Sequence, residues 1–382
     1  MKSYVYADKF FLKSGTVSSA YLEIEDGVFG SIVKDIPEKA EVIDYTGKWI
    51  APGLVDTHIH GYKNHDVMDN DAEGLKVMSE GLLSCGVTSF LPTTLTSSRE
   101  LLTKVAKTIG DTYQEVEGAK IQGIYFEGPF FTEKYKGAQN PIYFSDPSLE
   151  IFNEWQEASG GLIKKIALAP EREGVSEFVQ EVTKQGVVVA LGHSDATLEE
   201  AQKAVESGAS VFVHAYNGMS GLHHREPGMV GSLMTLHDVY AEVICDGHHV
   251  HPKAVDVLVT TRGHDHVALI TDCMMAGGMP DGNYMLGEFP VVVAEGTARL
   301  KEGSLAGSIL KLKEGLKNVV DWGVATPEQA VMMATLIPAV SCDIDDKCGQ
   351  IAAGRDADFI VLTPDMDLEA TYLDGKLRYT AE

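Results

Sequence analysis

Gly53-Leu54-Val55-Asp56-Thr57-His58-Ile59-His60-Gly61 is the stretch that decides how this chain is read. Residues two apart on a β-strand point to the same face, so His58 and His60 can reach one metal ion from the end of a single strand. A His-x-His pair is equally compatible with surface or capping histidines, and context has to choose. Residues 49–55 form an apolar run that carries Pro52 and Gly53, and the pair sits where the run stops. Outward along the chain the pattern recurs: 121–126 leads into Glu127-Gly128-Pro129, 187–191 into Gly192-His193-Ser194, 211–213 into His214 and 268–271 into Asp272. Each is an apolar, β-branched run of strand length that stops at a metal-competent or acid/base residue. One such ending is commonly a polar cap on a buried strand. Five in succession, all of residue types that catalytic zinc or iron takes as ligands, point to a metal site built from strand ends.

The middle of the chain alternates strand and helix signals. Strands are predicted at 50–56, 87–92, 121–126, 166–169, 187–191, 211–213, 241–244 and 267–271. Amphipathic helices are predicted at 72–83, 98–109, 176–184, 198–207 and 252–261, mostly opened by Asp, Ser or Thr and several closed by Gly. Eight strands with intervening helices is the count of an α/β protein with a (β/α)8 TIM-like barrel, whose catalytic groups sit at the C-terminal strand ends. The two ends of the chain read differently. Residues 3–48 and 349–376 alternate short strands with turns, among them Asp26-Gly27, Gly354-Arg355 and Asp374-Gly375. Neither piece alone would bury a core, so they are expected to join as one small discontinuous β-sandwich domain, residues 1–50 with 344–382, beside a catalytic barrel of residues 51–343.

Composition narrows the function. With 382 residues, 44% hydrophobic and 23% charged, the chain is large enough for one big domain and a smaller one. Its 31 Lys and Arg against 56 Asp and Glu give a net charge of −25, which disfavours a nucleic-acid surface. An anionic substrate therefore needs a local positive site. Cys85, Cys245, Cys273, Cys342 and Cys348 form no Cys-x-x-Cys, and their odd number and scatter suit reduced thiols. No apolar run approaches 18 residues, and the start Met1-Lys2-Ser3-Tyr4-Val5-Tyr6-Ala7-Asp8 lacks a signal-peptide core, so a cytoplasmic protein without membrane contact is expected.

Pro52-Gly53-x-x-Asp56-x-His58-x-His60-Gly61, taken with Gly349-x-Ile351-x-x-Gly354-x-x-Ala357-Asp358-x-x-x-Leu362, resembles the amidohydrolase superfamily over essentially the whole chain. Within it, Tyr125-Phe126-Glu127-Gly128-Pro129-Phe130, Leu191-Gly192-His193-Ser194, His214-x-Tyr216-Asn217-x-Met219, Arg225-Glu226-Pro227-Gly228, Asp246-Gly247-x-His249-Val250 and Thr271-Asp272 look like the N-acetylglucosamine-6-phosphate deacetylase family. Many amidohydrolases carry a carboxylated lysine at the position that bridges two metals, and here Glu127 stands in that role. The resemblance implies hydrolysis of an acetamide on a phosphorylated amino sugar, in amino-sugar catabolism and cell-wall sugar recycling. N-acetylgalactosamine 6-phosphate, a cyclic amide or a deaminase substrate stays open, as does a sugar-phosphate-binding protein without catalysis.

By the same resemblance, Glu127, His193 and His214 hold a divalent ion, zinc or iron, that activates a water. The His58/His60 pair raises the count to one or two ions per subunit. Asp272 is implied as the base that takes the proton of that water and returns it to the departing amine, and His249 as the group that polarises the acetyl carbonyl. Asn217 and Gly218 would contact the phosphate, joined by Arg225 from the neighbouring subunit of a homodimer. Ala138, Gln139, Leu305, Ala306 and Gly307 correspond to loops that line the sugar pocket. Two positions depart from the family: Gln139 stands where histidine is frequent, and Cys273 where alanine is common, either a small buried residue or a thiol near the metal. His223, His224 and the remaining histidines, among them His65, His237, His248, His251, His264 and His266, are read as surface or capping residues.

Overall fold

A computed structural model describes residues 2–381; Met1 and Glu382, at the outer ends of the two expected terminal segments, lie outside the described residues. Eight parallel strands follow one another in space in chain order: Leu54–Ile59, Val87–Thr94, Ile124–Phe130, Ile163–Leu168, Val188–Leu191, Val211–Phe212, Tyr240–Ile244 and Val267–Ile270. The eighth returns to the first through Asp272 N–H to His58 O at 2.9 Å and His60 N–H to Cys273 O at 2.8 Å, which closes the barrel. Those two bonds also set Asp272 beside the His58/His60 pair.

Period-2 alternation sorts the side chains. Along the fifth strand, Val188 and Ala190 fill the lumen, while Val189 and Leu191 join the apolar layer under the helices. Val211, Phe212 and Val213 divide in the same way. The predicted helices appear as Ala72–Leu82, Arg99–Thr112, Val175–Thr183, Leu198–Glu206 and Pro252–Arg262. Thr197 and Glu200 close a reciprocal capping box, and Asp71, Ser98 and His251 each accept from a first-turn N–H. Ala339, Cys342 and Ile344 close the lower end of the lumen.

Both chain ends enter one seven-stranded sheet, counted among the described residues, in which Glu41–Pro52 pairs with Lys2–Leu12 on one side and Phe359–Leu362 on the other. The sheet curls over its own core of Val5, Phe10, Leu22, Phe29, Ile50 and Phe359, and its far edge returns through Phe29 N–H to Arg355 O at 2.8 Å. The predicted turns at Asp26-Gly27 and Asp374-Gly375 have positive φ at both residues, the type I′ geometry that favours Gly at the second. Lys120 ties the barrel to this sheet, its ammonium 2.8, 2.9 and 2.6 Å from Asp356, Asp358 and Asp374.

Three local features differ from the expectation. The predicted strand 50–56 is two strands: residues 50–52 finish the seven-stranded sheet and Leu54–Ile59 opens the barrel. Gly53 makes the step because a Cβ there would lie 2.0 Å from Thr88 Oγ1. The strand 121–126 divides into Lys120–Ile121 and Ile124–Phe130, the second running through Glu127 with an irregularity after it. A three-stranded sheet, Gly282–Leu286, Phe289–Ala294 and Thr297–Leu300, follows the eighth barrel strand. It packs Leu286, Val291 and Val293 against Leu95, Met274 and Ala306.

Candidate metal centre

Four imidazoles and two carboxylates converge at the C-terminal mouth of the barrel. His58, His60 and Asp272 form one group of three potential ligands, and Glu127, His193 and His214 form another. Glu127 lies between them: Oε1 is 3.2 Å from His193 Nε2, 3.3 Å from His214 Nε2 and 3.4 Å from His58 Nε2, while Oε2 is 3.3 Å from His60 Nε2. Asp272 Oδ1 is 3.1 Å from His60 Nε2 and 3.4 Å from His58 Nε2.

Every one of the four rings is held at Nδ1. His193 donates to Tyr135 O at 3.0 Å, His214 to Asn217 O at 3.1 Å, His60 to Thr93 O at 3.1 Å and His58 to Glu242 Oε2 at 3.2 Å. A neutral imidazole whose Nδ1–H is bonded keeps its lone pair on Nε2. All four Nε2 atoms therefore face the centre as acceptors. His193 Nε2 and His214 Nε2 stand 3.1 Å apart, and buried His58 Nε2 makes no hydrogen bond at all. Opposed lone pairs and an orphaned buried nitrogen are unfavourable unless a cation lies among them, so the donor set fits a divalent metal.

The electrostatics agree. Burial would raise the pKa of Glu127, but the charge of His58 and the close approach of the His193 and His214 rings hold its carboxyl well below the usual range. Asp272 is also lowered: burial opposes, and His58 and His60 prevail. Against burial, Asp272 and Glu127 lift His58 to about 9 and His60 well above its ordinary value. His214 goes down, through burial first and the neighbouring His193 second.

Backbone conformation aims three of these side chains. His193, His214 and Asp272 have φ of 45°, 27° and 50°, the left-handed region that non-glycine residues rarely enter. Each follows the end of a barrel strand. Such positions cost roughly 1–3 kcal/mol apiece and persist where the surroundings impose them.

A cavity of about 250 Å3 opens above the centre, and its walls include His60, Glu127, His193, His214 and Asp272. The predicted residues Ala138, Gln139, Asn217, Gly218, His249, Leu305 and Gly307 also line it. His249 is fixed by Asp246, which accepts from its Nδ1–H at 2.6 Å and from the backbone N–H groups of His248 and His249 at 2.8 Å, leaving Nε2 as the free ring nitrogen. Burial would raise Asp246, but His249 keeps it below the usual range. Gln139 donates to Glu127 Oε2 at 2.5 Å and accepts from Thr96 N–H at 2.9 Å, so it addresses the central Glu127 carboxylate directly.

Two predicted residues stand apart. Ala306 is buried in the packing of the three-stranded sheet, behind Leu305 and Gly307. Arg225 is exposed and does not line the cavity of its own chain; its Nη1 lies 2.7 Å from His224 Nε2. Cys273 is buried, and burial pushes its thiol well above the ordinary value, against the reactive-thiol alternative.

The sequence reading missed Glu242, Lys165 and Leu286. Glu242 falls inside the predicted strand 241–244, a charge within an apolar run, and Lys165 immediately precedes the predicted strand 166–169, which the structure begins earlier, at Ile163. Leu286 comes with the three-stranded sheet, marked in sequence by the β-branched run 291–293 and the turn Glu295-Gly296.

The amidohydrolase family matches residues 49–378. The chain is 40% identical over 362 residues to the N-acetylglucosamine-6-phosphate deacetylase of Vibrio furnissii, covering 94% of this chain and 90% of that one. It is 36% identical over 372 residues to the N-acetylgalactosamine-6-phosphate deacetylase of Escherichia coli O157:H7, covering 97% and 98%. A mutant N-acetyl-D-glucosamine-6-phosphate deacetylase of Mycobacterium smegmatis, solved in complex with N-acetyl-D-glucosamine-6-phosphate, superposes with a TM-score of 0.94 at 27% identity, covering 99% and 100%.

Proposed function

The chain belongs to the amidohydrolase family, and from that premise we propose that it hydrolyses the acetamide of N-acetyl-D-glucosamine 6-phosphate to D-glucosamine 6-phosphate and acetate. The observation that carries the reading is the meeting, in one cavity, of a convergent imidazole and carboxylate centre with Asp272 and with His249 anchored by Asp246. Its setting is amino-sugar catabolism and cell-wall sugar recycling in the cytoplasm; among the described residues no helix is long and apolar enough to cross a membrane.

Glu127, His193 and His214 are the residues to hold zinc or iron, with His58, His60 and Asp272 available to a second ion. A divalent ion bound there supplies Lewis acidity and brings the pKa of water down toward neutrality. Asp272, its carboxyl lowered, is ionised at neutral pH and accepts the proton of the attacking water, then returns it to the departing sugar amine. In its imidazolium form, paired through Nδ1–H with the Asp246 carboxylate, His249 donates from Nε2 to the acetyl oxygen as charge develops there. Ala138, Gln139, Leu305, Ala306 and Gly307 frame the sugar. Asn217 and the Gly218 backbone hold the phosphate, and Arg225 reaches it from the second subunit of a homodimer, where a guanidinium can form two parallel bonds.

The galactosamine relative supports a second reading in which the 4-epimer is the substrate. Acetate release from both 6-phosphates by protein of measured metal content separates them. A kcat/KM for the gluco isomer at least tenfold above the galacto isomer is expected; the reverse order would assign the epimer, and no acetate from either would refute both.

A further inference from the structure

Beneath the ligand groups the barrel lumen holds a buried ion pair. Lys165 and Glu242 are both 0% exposed, and Lys165 Nζ bonds to Glu242 Oε1. On the fourth strand Lys165 shares the lumen with Ala167 while Ile166 and Leu168 face the helices, and on the seventh Ala241 and Val243 face the helices. Lys165 Nζ also lies 3.9 Å from the centroid of Tyr125, whose ring is 4.9 Å from that of His58.

A buried pair of this kind adds little to stability over apolar residues of similar volume, because desolvating two charges offsets their attraction. The fold alone gives no reason for it. Its place does: Glu242 Oε2 accepts from His58 Nδ1–H at 3.2 Å. Among the described ligands, His58 is the one imidazole held at Nδ1 by a carboxylate; His60, His193 and His214 are held by backbone carbonyls. A carboxylate behind a metal-binding imidazole fixes its tautomer and makes its other nitrogen a stronger donor. We propose that Glu242, neutralised by Lys165, is a positioning residue that sets metal affinity at the His58/His60/Asp272 group selectively, leaving the Glu127/His193/His214 group to its backbone supports.

This inference rests on the metal reading above, and metal binding can be measured without substrate, so its failure is distinct from failure of the deacetylase assignment. Metal-stripped wild type, Lys165→Met/Glu242→Leu, Lys165→Met/Glu242→Gln and His58→Ala are titrated with Zn2+ by calorimetry, with metal content after dialysis as a second readout. Wild type is expected to take two equivalents, and His58→Ala to identify the one belonging to its group. The Met/Leu variant should weaken that equivalent by about 10- to 100-fold and leave the other within about twofold. The Met/Gln variant keeps an acceptor for Nδ1–H and should fall between. Where the neutral variants fail to fold, Glu242→Asp retains the charge pair but withdraws the carboxylate from His58, and the same selective loss is expected. The proposal is overturned by unchanged binding in a folded variant, by equal weakening of both equivalents, or by a wild type that binds one equivalent at saturation.

Discussion

His193 Nε2 and His214 Nε2 face each other at 3.1 Å with both Nδ1 atoms committed to the backbone carbonyls of Tyr135 and Asn217. The carbonyls impose the tautomer, and the tautomer imposes the clash of lone pairs that a cation relieves. Stripping the protein with a chelator should therefore lower its melting temperature, and an added divalent ion at about 100 times its Kd should restore roughly 2.7 kcal/mol. His193→Ala should abolish most of that gain. A melting temperature indifferent to chelator and ion would refute the metal centre.

Asp272 stands in two relationships, close to His58 and His60 and on the wall of the cavity. Asp272→Asn should reduce kcat by about 10²-fold or more, the usual scale for losing an acid/base group. The equivalent held by Glu127, His193 and His214 should persist while binding near His58 and His60 weakens. Near wild-type turnover would remove Asp272 from the role of base.

Asp246 holds His249 by its ring and by its backbone. Asp246→Asn keeps the shape but removes the carboxylate charge that supports a doubly protonated His249, so kcat should fall, by up to roughly 10²-fold, the scale of an oxyanion donor, with KM nearly unchanged. Equal loss of kcat in Asp246→Asn and wild-type-like activity in His249→Ala cannot both occur if Asp246 acts through His249.

Arg225 is exposed and outside its own chain's cavity. Arg225→Ala should raise KM for the 6-phosphate by the equivalent of about 1.5–3 kcal/mol, the value of a charge-assisted hydrogen bond, with little effect on unphosphorylated N-acetylglucosamine. Mixing Arg225→Ala with Asp272→Asn should restore activity in heterodimers, where one site has both groups. Proven heterodimers without recovery would place Arg225 elsewhere.

In the metal-free protein, Asp272 and Glu127 raise His58 from 6.5 to about 9 against burial. A raised imidazole contributes stability fully below 6.5 and loses it as pH rises through about 9. Thermal stability of stripped protein should accordingly decline between pH 6.5 and 9, while metal affinity climbs over the same window because the ion displaces that proton. A stripped protein that gains stability across the window would contradict the shift.

Much of this architecture was legible locally. Continuous apolar, β-branched runs of strand length such as 187–191 and 211–213 are a local signal, and they marked the barrel strands and the residues at their ends. The glycine turns Asp26-Gly27 and Asp374-Gly375 are equally local, since only the backbone at those two residues decides them. Gly53 divided a predicted strand because the side chain of Thr88, 35 positions away, fills the space where its Cβ would stand.

What the sequence by itself determined is thus the set of ligand types, their strand ends and the barrel that gathers them, because those follow from apolar runs of strand length with helices between them and from the chemistry of each residue. The tertiary structure decided which nitrogen His193, His60 and His58 turn inward, since their acceptors are Tyr135 O, Thr93 O and Glu242, all remote in sequence; only His214 is held locally, by Asn217 O three residues on. It also decided that Asp272 neighbours His58 and His60, through barrel closure, and that Lys165 meets Glu242 across the lumen 77 residues later. Pairing between strands remote in sequence is fixed by the closure and register of the whole barrel, a property that no single segment contains.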